Sequence, residues 1–125
     1  MSNKKILIVD DEEELLFLVD KKLSQEGYET FNAKSGVEAI EQAKQNLPDL
    51  ILMDIVLVDM DGPETVKVLQ DCLQTSNIPV IFLSGIVSRD DDSKMEVTVG
   101  SRQYKTIGKP FSPRELFDAV SLILN

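Results

Sequence analysis

The sequence predicts an α/β protein built around a doubly wound, largely parallel β-sheet. Short apolar segments of strand length alternate with longer segments of helical period, which is the pattern of βα units. No internal repeat, low-complexity stretch or linker interrupts this alternation. Because 125 residues match the usual size of one domain, we expect residues 1–125 to form a single domain. The predicted strands are Lys4–Val9, Tyr28–Ala33, Leu50–Met53, Ile78–Leu83 and Gln103–Gly108.

Apolar residues between the strands repeat at helical spacing and are expected to face the sheet. Ser35 and Ser112 are each followed three residues later by glutamate, which fits the capping box that opens a helix. A further helix is expected between Leu83 and Gln103, although Glu96–Gly100 is rich in β-branched residues and ends in glycine. The apolar stripes are Leu15, Leu16, Val19 and Leu23; Val37, Ile40, Ala43 and Leu47; and Val66, Leu69 and Leu73.

Charge and hydropathy exclude several classes of function. The chain carries 22 acidic and 13 basic residues, a net charge of −9, which disfavours binding to nucleic acid or anionic lipid. The longest apolar run, Leu15–Val19, is too short to cross a membrane, and the run between Lys5 and Asp10 is too short for a secretory signal. A single cysteine, Cys72, cannot form an internal disulfide. We expect a cytoplasmic protein that contacts neither nucleic acid nor membrane directly.

Charged or hydroxyl side chains follow four of the five predicted strands. Asp10 and Asp11 follow the first strand, Asp54 the third, Ser84 the fourth and Lys109 the last. Because open parallel sheets bind ligands at the carboxyl ends of their strands, we expect these side chains to share one site. Each residue alone is weak evidence, since an aspartate or serine after a strand often only caps a helix or makes a turn. Their combination predicts the site.

Three carboxylates at one edge of a sheet need a counter-charge. Like charges about 4 Å apart repel by several kcal/mol at intermediate dielectric. Lys109 is the only cation that the pattern places nearby, and it cannot balance Asp10, Asp11 and Asp54. Mg²⁺ prefers oxygen ligands and commonly joins one or two carboxylates to a phosphate. The sequence therefore predicts Mg²⁺ as a cofactor and, without metal, a raised pKa for one of the carboxylates.

Taken together, these residues resemble the receiver domain of two-component response regulators over nearly the whole chain. The resemblance implies a flavodoxin-like fold, with a five-stranded parallel sheet in the order 2-1-3-4-5 and five helices. It is carried by Ile-Leu-Ile-Val-Asp10-Asp11, by Asp49-Leu-Ile-Leu-Met-Asp54 with Asp59-Met60-Asp61-Gly62, by Phe82-Leu83-Ser84-Gly85 and by Lys109-Pro110-Phe111.

The resemblance also implies a role for each acidic residue. Asp54 would accept a phosphoryl group from a histidine kinase or a histidine phosphotransfer protein, and the chain would then switch conformation to control a partner protein. Asp11 and Asp54 would bind Mg²⁺ directly, and Asp10 mainly through water. Val56 would supply its backbone carbonyl as a further metal ligand.

Two more residues would hold the phosphoryl group. Lys109 and Ser84 would each bond one of its oxygens, since phosphoryl transfer depends mostly on positioning and charge neutralisation. The family pattern also implies a cis bond between Lys109 and Pro110. The chain contains no histidine, so it cannot itself be the phosphohistidine donor. Apart from its own phosphorylation and slow dephosphorylation, no enzymatic turnover is expected.

The sequence departs from the family pattern in three places. Val58 stands where proline usually lies four residues after the acceptor, so a less rigid loop is expected. Thr106 replaces the aromatic residue that usually reports phosphorylation, and Tyr104 lies two residues earlier on the same strand face. The segment before Lys109 is longer than usual and contains Arg89-Asp90-Asp91-Asp92. Switching by the usual coupling of serine and aromatic residue is therefore in question.

Two apolar residues are expected to set the lifetime of the phosphorylated state. Val56 and Ile86 hold positions that flank the phosphoryl group in this family, and neither side chain can orient an attacking water. We therefore expect slow self-dephosphorylation.

The leading hypothesis is a receiver that acts by binding a downstream protein, as a monomer or weak dimer, either as a whole protein or as a domain of a longer one. Leu15, Leu16 and Leu18 provide more apolar positions than one core stripe needs and suggest a docking patch, unless all of them are partly covered core. One alternative is an interaction module that keeps the fold without phosphorylation. Another is a Mg²⁺-dependent phosphohydrolase, which would normally need an acid where Val56 stands.

Overall fold

Apolar segments form the centre of a parallel sheet. The computed structural model describes residues 3–85 and 96–125 and places β1 (Lys5–Val9), β3 (Leu50–Asp54) and β4 (Val80–Ser84) side by side. Every residue of β3 and β4 is buried, as expected for strands covered on both faces. β2 (Glu29–Ala33) lies beside β1, and β6 (Arg102–Gly108) lies beside β4. The expected order 2-1-3-4, with the last predicted strand next, is confirmed.

The segment before β6 contains a strand where a helix was expected. β5 (Glu96–Val99) pairs antiparallel with β6 and completes a six-stranded sheet in the order β2-β1-β3-β4-β6-β5. The prediction of a fourth helix is therefore wrong for these residues, and the rest of that segment lies outside the described ranges. β-branched side chains favour the extended chain, and Gly100, with φ of 62°, supports a two-residue turn into Arg102.

Helices cover both faces of the sheet. α1 (Glu13–Gln25) and α4 (Pro113–Leu124) pack on one face, and α2 (Gly36–Asn46) and α3 (Gly62–Gln70) pack on the other. These four are the helices of the described ranges, where the family pattern implied five. None of them is both long enough and apolar enough to cross a bilayer. The doubly wound fold is confirmed with one helix fewer and one edge strand more in the part of the chain that the structure describes.

Three residues of the predicted apolar stripes lie outside the core. Val37 is exposed because α2 packs through its small residues Ala39 and Ala43, which bring the helix close to the sheet. Leu47 is exposed because it caps α2 in the left-handed conformation, with φ of 47°. Leu73 is 93% exposed, since α3 ends before it and the helical period no longer applies. The stripe predicted on α1 is buried at its last three positions.

Side-chain caps fix where the helices begin. Ser112 and Glu115 form the predicted capping box at α4. Ser35 caps α2 by accepting a hydrogen bond from the Glu38 amide at 3.1 Å, but the Glu38 side chain accepts from the amide of Lys34 instead of completing the box. α3 begins with a capping box of its own, between Asp61 and Glu64.

Candidate functional site

The strands bring the predicted residues to one edge of the sheet. Asp10 follows β1, Asp54 ends β3 and Ser84 ends β4, and these three strands are neighbours. Lys109 follows β6, and its backbone amide donates a hydrogen bond of 2.8 Å to the Ser84 carbonyl. The Lys109–Pro110 bond is cis, as the family pattern implied. The structure therefore places these residues together at the carboxyl ends of the strands.

Three carboxylates form the centre of the site. Asp10, Asp11 and Asp54 each offer an oxygen within 4.8 Å of the others. Asp10 is fully buried and Asp54 nearly so, whereas Asp11 is exposed. The Glu12 amide donates a hydrogen bond of 2.9 Å to Asp10 Oδ1, which orients that carboxylate. One face of the cluster is thus fixed by the protein and the other is open to solvent.

Lys109 is the cation of this cluster. Its Nζ donates a hydrogen bond of 2.7 Å to Asp10 Oδ2 and lies 3.5 Å from Asp54 Oδ1. Glu12 Oε1 lies 3.3 Å from the same nitrogen. A single ammonium is therefore shared among three acidic side chains, and the site keeps an excess of negative charge.

The charge imbalance is reflected in two pKa values. Burial, together with the negative charge of Asp10, raises the pKa of Asp54 to about 6, although Lys109 and the Val56 amide oppose the shift. Burial favours neutral Lys109, but the hydrogen bond to Asp10 and the charges around it outweigh burial and raise the pKa of Lys109. The expectation that one carboxylate would have a raised pKa without metal is confirmed, and Asp54 is that carboxylate.

The donor set fits Mg²⁺. Its ligands are oxygens of hard carboxylates on neighbouring strand ends, and the open side leaves room for the waters that Mg²⁺ keeps. Val56 stays beside the cluster because its amide donates to Asp54 Oδ1 at 3.4 Å. The structure therefore groups all four residues that were predicted to hold the metal, namely Asp10, Asp11, Asp54 and Val56.

The residues around Ser84 differ from the usual pairing of a serine with an aromatic residue in this family. Ser84 is buried at the end of β4, next to the site. Thr106 is also buried, and its hydroxyl oxygen has no hydrogen-bond partner within residues 3–85 and 96–125. Tyr104 is held in the core, where its ring meets Phe82 edge-on at 5.8 Å and its hydroxyl accepts a hydrogen bond of 2.7 Å from Gln70. Ile86 and the acidic stretch 89–92 lie outside the described residues.

Asp59, in the loop that follows Asp54, makes a contact that the sequence pattern did not predict. We call residues 55–61, which follow the predicted acceptor Asp54, the acceptor loop. The Asp59 carboxylate accepts hydrogen bonds from the backbone amides of Gly36 and Val37 at the start of α2. These bonds hold the pKa of Asp59 below its usual range. The helix start was predicted from sequence, but a partner more than twenty residues away gives no local signal.

A groove of about 510 Å³ lies beside the site, between α1 and α4. Leu15 and Leu18 line it from α1, and Phe111 and Leu116 line it from the far side. Glu12 lines its end and also contacts Lys109, so the groove leads to the acidic cluster. Of the predicted docking patch, Leu18 is exposed, Leu15 is half-buried and Leu16 belongs to the core.

A comparison with known protein families identifies the family to which this chain belongs. The model of the response regulator receiver domain matches residues 6–121. The chain belongs to the response regulator receiver family. Members are signalling domains of two-component systems, not enzymes of the usual kind, and they bind Mg²⁺ in their acidic pocket. The predicted function class is thereby confirmed.

Two relatives show different architectures around the same domain. The receiver is 38% identical to the alkaline phosphatase synthesis transcriptional regulatory protein PhoP of Bacillus subtilis; the match covers 98% of the chain and 49% of PhoP, about half of that protein. It is 34% identical to the polar-differentiation response regulator DivK of Brucella ovis, covering 97% of the chain and 96% of DivK. Similar receivers therefore occur both with and without a large additional segment.

A solved structure shares the fold of the receiver. The receiver domain of the sensor histidine kinase PA1611 from Pseudomonas aeruginosa superposes with a TM-score of 0.83, at 22% identity and 98% coverage of both chains. That domain holds a magnesium ion coordinated in its active site cleft.

Proposed function

We propose that Asp54 of this receiver accepts a phosphoryl group from a phosphohistidine. The observation that carries the proposal is the cluster in which the nearly buried Asp54 carboxylate lies 3.5 Å from the Lys109 ammonium and beside the open, Asp11 side of the acidic site. In the transfer, a carboxylate oxygen of Asp54 bonds to phosphorus while the phosphorus–nitrogen bond of the donor breaks. The imidazole leaves with the bonding electron pair and takes up a proton.

Lys109 and Ser84 would bind the transferred group. Lys109 stands close enough to exchange its contact with Asp54 for one with a phosphoryl oxygen. Ser84 ends the neighbouring strand and offers its hydroxyl at the same edge. Positioning and neutralisation of charge on the phosphoryl oxygens account for most catalysis of such transfers, so two fixed donors suffice on the protein side.

Asp10, Asp11, Asp54 and the Val56 carbonyl would hold Mg²⁺. The fit rests on their oxygen donors and on the excess negative charge that Lys109 leaves unbalanced. When bound, Mg²⁺ supplies positive charge that neutralises the acidic cluster and the phosphoryl oxygens. The magnesium ion in the PA1611 receiver, which has the same fold, supports this assignment.

The phosphodonor would dock on the groove between α1 and α4. A helix of a histidine kinase or histidine phosphotransfer protein has the shape for an apolar groove, and this groove ends at Glu12, next to the acidic cluster. Phosphorylated Asp54 would then favour a second conformation that binds a downstream protein. The reaction is proposed to take place in the cytoplasm, and the receiver itself would act as a monomer or weak dimer.

Intact mass after incubation with acetyl phosphate and Mg²⁺ tests the proposal. Wild type should gain one phosphoryl group, and Asp54→Asn should gain none. Asp71→Asn is a matched control, because Asp71 is exposed and its ion pair among the described residues is with Lys67, four residues earlier. It should be labelled like wild type. Unlabelled wild type would instead favour an inert interaction module, and rapid turnover of acetyl phosphate would favour a hydrolase.

A further inference from the structure

Asp59 ties the acceptor loop to α2. Its Oδ1 accepts the Gly36 amide at 2.8 Å, and its Oδ2 accepts the Val37 amide at 3.0 Å. Both amides belong to the first turn of α2, where backbone N–H groups have no partner within the helix. The carboxylate also lies at the positive end of the helix dipole. One side chain of the loop thus completes a helix that is distant in sequence.

The acceptor loop has few other fixed points. Leu57 is buried in the core, but Val56 is 63% and Val58 is 73% exposed. At its ends, the Ile55 amide donates to Leu83, and the Gly62 amide donates to the Ile55 carbonyl at 2.7 Å. Asp59 is therefore the polar anchor on the far side of Val58, where the loop lacks the usual proline. Leu57 and Asp59 together hold the stretch that contains Val58.

Close packing makes this contact sensitive to loop position. A side chain at Gly36 would overlap the Met60 side chain and come within 2.7 Å of Thr65 Oγ1. Glycine at this position leaves room for Met60, and so for the Asp59 carboxylate, beside the start of α2. A shift of the loop would separate Asp59 from both amides, so the two hydrogen bonds report and restrain where the loop lies.

We propose that Asp59 is a positioning residue for the phosphoacceptor site: by anchoring the acceptor loop on α2, it places the Val56 backbone beside Asp54 for metal binding. The inference rests on the proposed function, since Val56 matters only if the site binds Mg²⁺. The Asp59 carboxylate bonds to backbone amides of α2 and of its own loop and not to the proposed metal ligands. Its effect passes through the backbone of residues 56–59. Binding of Mg²⁺ at the acidic site is thereby coupled to the start of α2.

Calorimetric titration with Mg²⁺ tests this inference on folded protein. Asp59→Ala should raise the Mg²⁺ dissociation constant by about tenfold, the lower end of effects seen when groups supporting metal ligands are removed. Asp59→Asn keeps one carbonyl acceptor and should recover part of the loss. Ser35→Ala is the matched control: it removes a cap from the same helix whose hydrogen bond goes to Glu38 and not to the acceptor loop, and it should bind Mg²⁺ like wild type.

A second readout follows the amide resonances of Gly36 and Val37 by NMR. Both should shift when Mg²⁺ is added to wild type and stay unchanged in Asp59→Ala. Equal Mg²⁺ affinity of wild type and Asp59→Ala, or equal losses in Asp59→Ala and Ser35→Ala, would overturn the inference while leaving the proposed function intact. Wild type that binds no Mg²⁺ would overturn both. If Asp59→Ala is too unstable to titrate, Asp59→Asn decides, because it must then bind Mg²⁺ more weakly than Ser35→Ala.

Discussion

Lys109 Nζ donates its shortest hydrogen bond to Asp10 Oδ2, at 2.7 Å, and not to Asp54, the proposed phosphoacceptor, which it approaches only to 3.5 Å. Asp10 is fully buried and accepts a second bond from the backbone amide of Glu12. The lysine therefore neutralises the buried Asp10 carboxylate and remains near Asp54. It can stabilise the metal-free cluster and, under the proposed function, still reach a phosphoryl group on Asp54.

Replacing Lys109 with methionine should destabilise the metal-free protein by about 3 kcal/mol, because it leaves the buried Asp10 charge without a cation to pair with. Urea denaturation in chelator measures the loss, and Mg²⁺ should restore part of it. Lys67→Met is the control, since its ion pair with Asp71 is exposed, and it should cost less than about 0.5 kcal/mol. Equal losses for the two variants would contradict the assigned contact.

Asp54 should make stability depend on pH in the absence of metal. Its pKa in the folded protein, about 6, lies above its ordinary value of 3.8, so folding favours the protonated form. The stability that this protonation contributes is complete below pH 3.8 and is lost as pH rises through 6. Wild type should therefore lose stability relative to Asp54→Asn between pH 4 and pH 7. Urea midpoints across that range measure the difference, and a constant difference would contradict the raised pKa.

Thr106→Val should stabilise the unphosphorylated protein by about 1 kcal/mol. Valine has the same shape and removes a buried hydroxyl that has no partner among the described residues. Thr75→Val is the opposite control, because the Thr75 hydroxyl donates a buried hydrogen bond of 2.7 Å to the Leu69 carbonyl, and its loss should be destabilising. Denaturant unfolding compares the two. A destabilised Thr106→Val would show that the hydroxyl has a partner in solution.

Phosphorylated wild type should lose its label slowly, over minutes or longer, because the exposed side chain of Val56 cannot orient a water beside Asp54. Val56→Asn supplies an amide that can orient such a water, and it should shorten the lifetime of the phosphorylated protein by roughly tenfold. Val58→Asn places the same amide in the same loop, farther from the acceptor, and should leave the lifetime unchanged. Mass spectrometry over time follows the loss. A half-life of seconds for wild type would refute this prediction.

Much of the site could be predicted because each residue ends its strand or directly follows it. Asp10, Asp54, Ser84 and Lys109 are placed by strand ends alone, and apolar runs locate those ends within two residues. The register of neighbouring strands then brings the side chains together without further information.

Other features depend on contacts that local patterns do not contain. The bond from Asp59 to α2 joins residues that are separated by a strand and a helix. The burial of Ala39 and the exposure of Val37 follow from how closely α2 approaches the sheet. β5 is a different case, because Val97, Thr98 and Val99 are β-branched and Gly100 precedes the next strand. The expectation of a helix from the family pattern outweighed that local signal.

The last strand of the sheet changes partner halfway along its length. Arg102 to Lys105 of β6 pair with β5, and Thr106 to Gly108 pair with β4. Lys109 therefore continues from the half that pairs with β4, while Tyr104 sits in the half that belongs to the hairpin. Gln70 of α3 fastens that hairpin by donating to the Val99 carbonyl at 3.0 Å and to the Tyr104 hydroxyl at 2.7 Å, so the ammonium and the outer rim of the sheet depend on different neighbours.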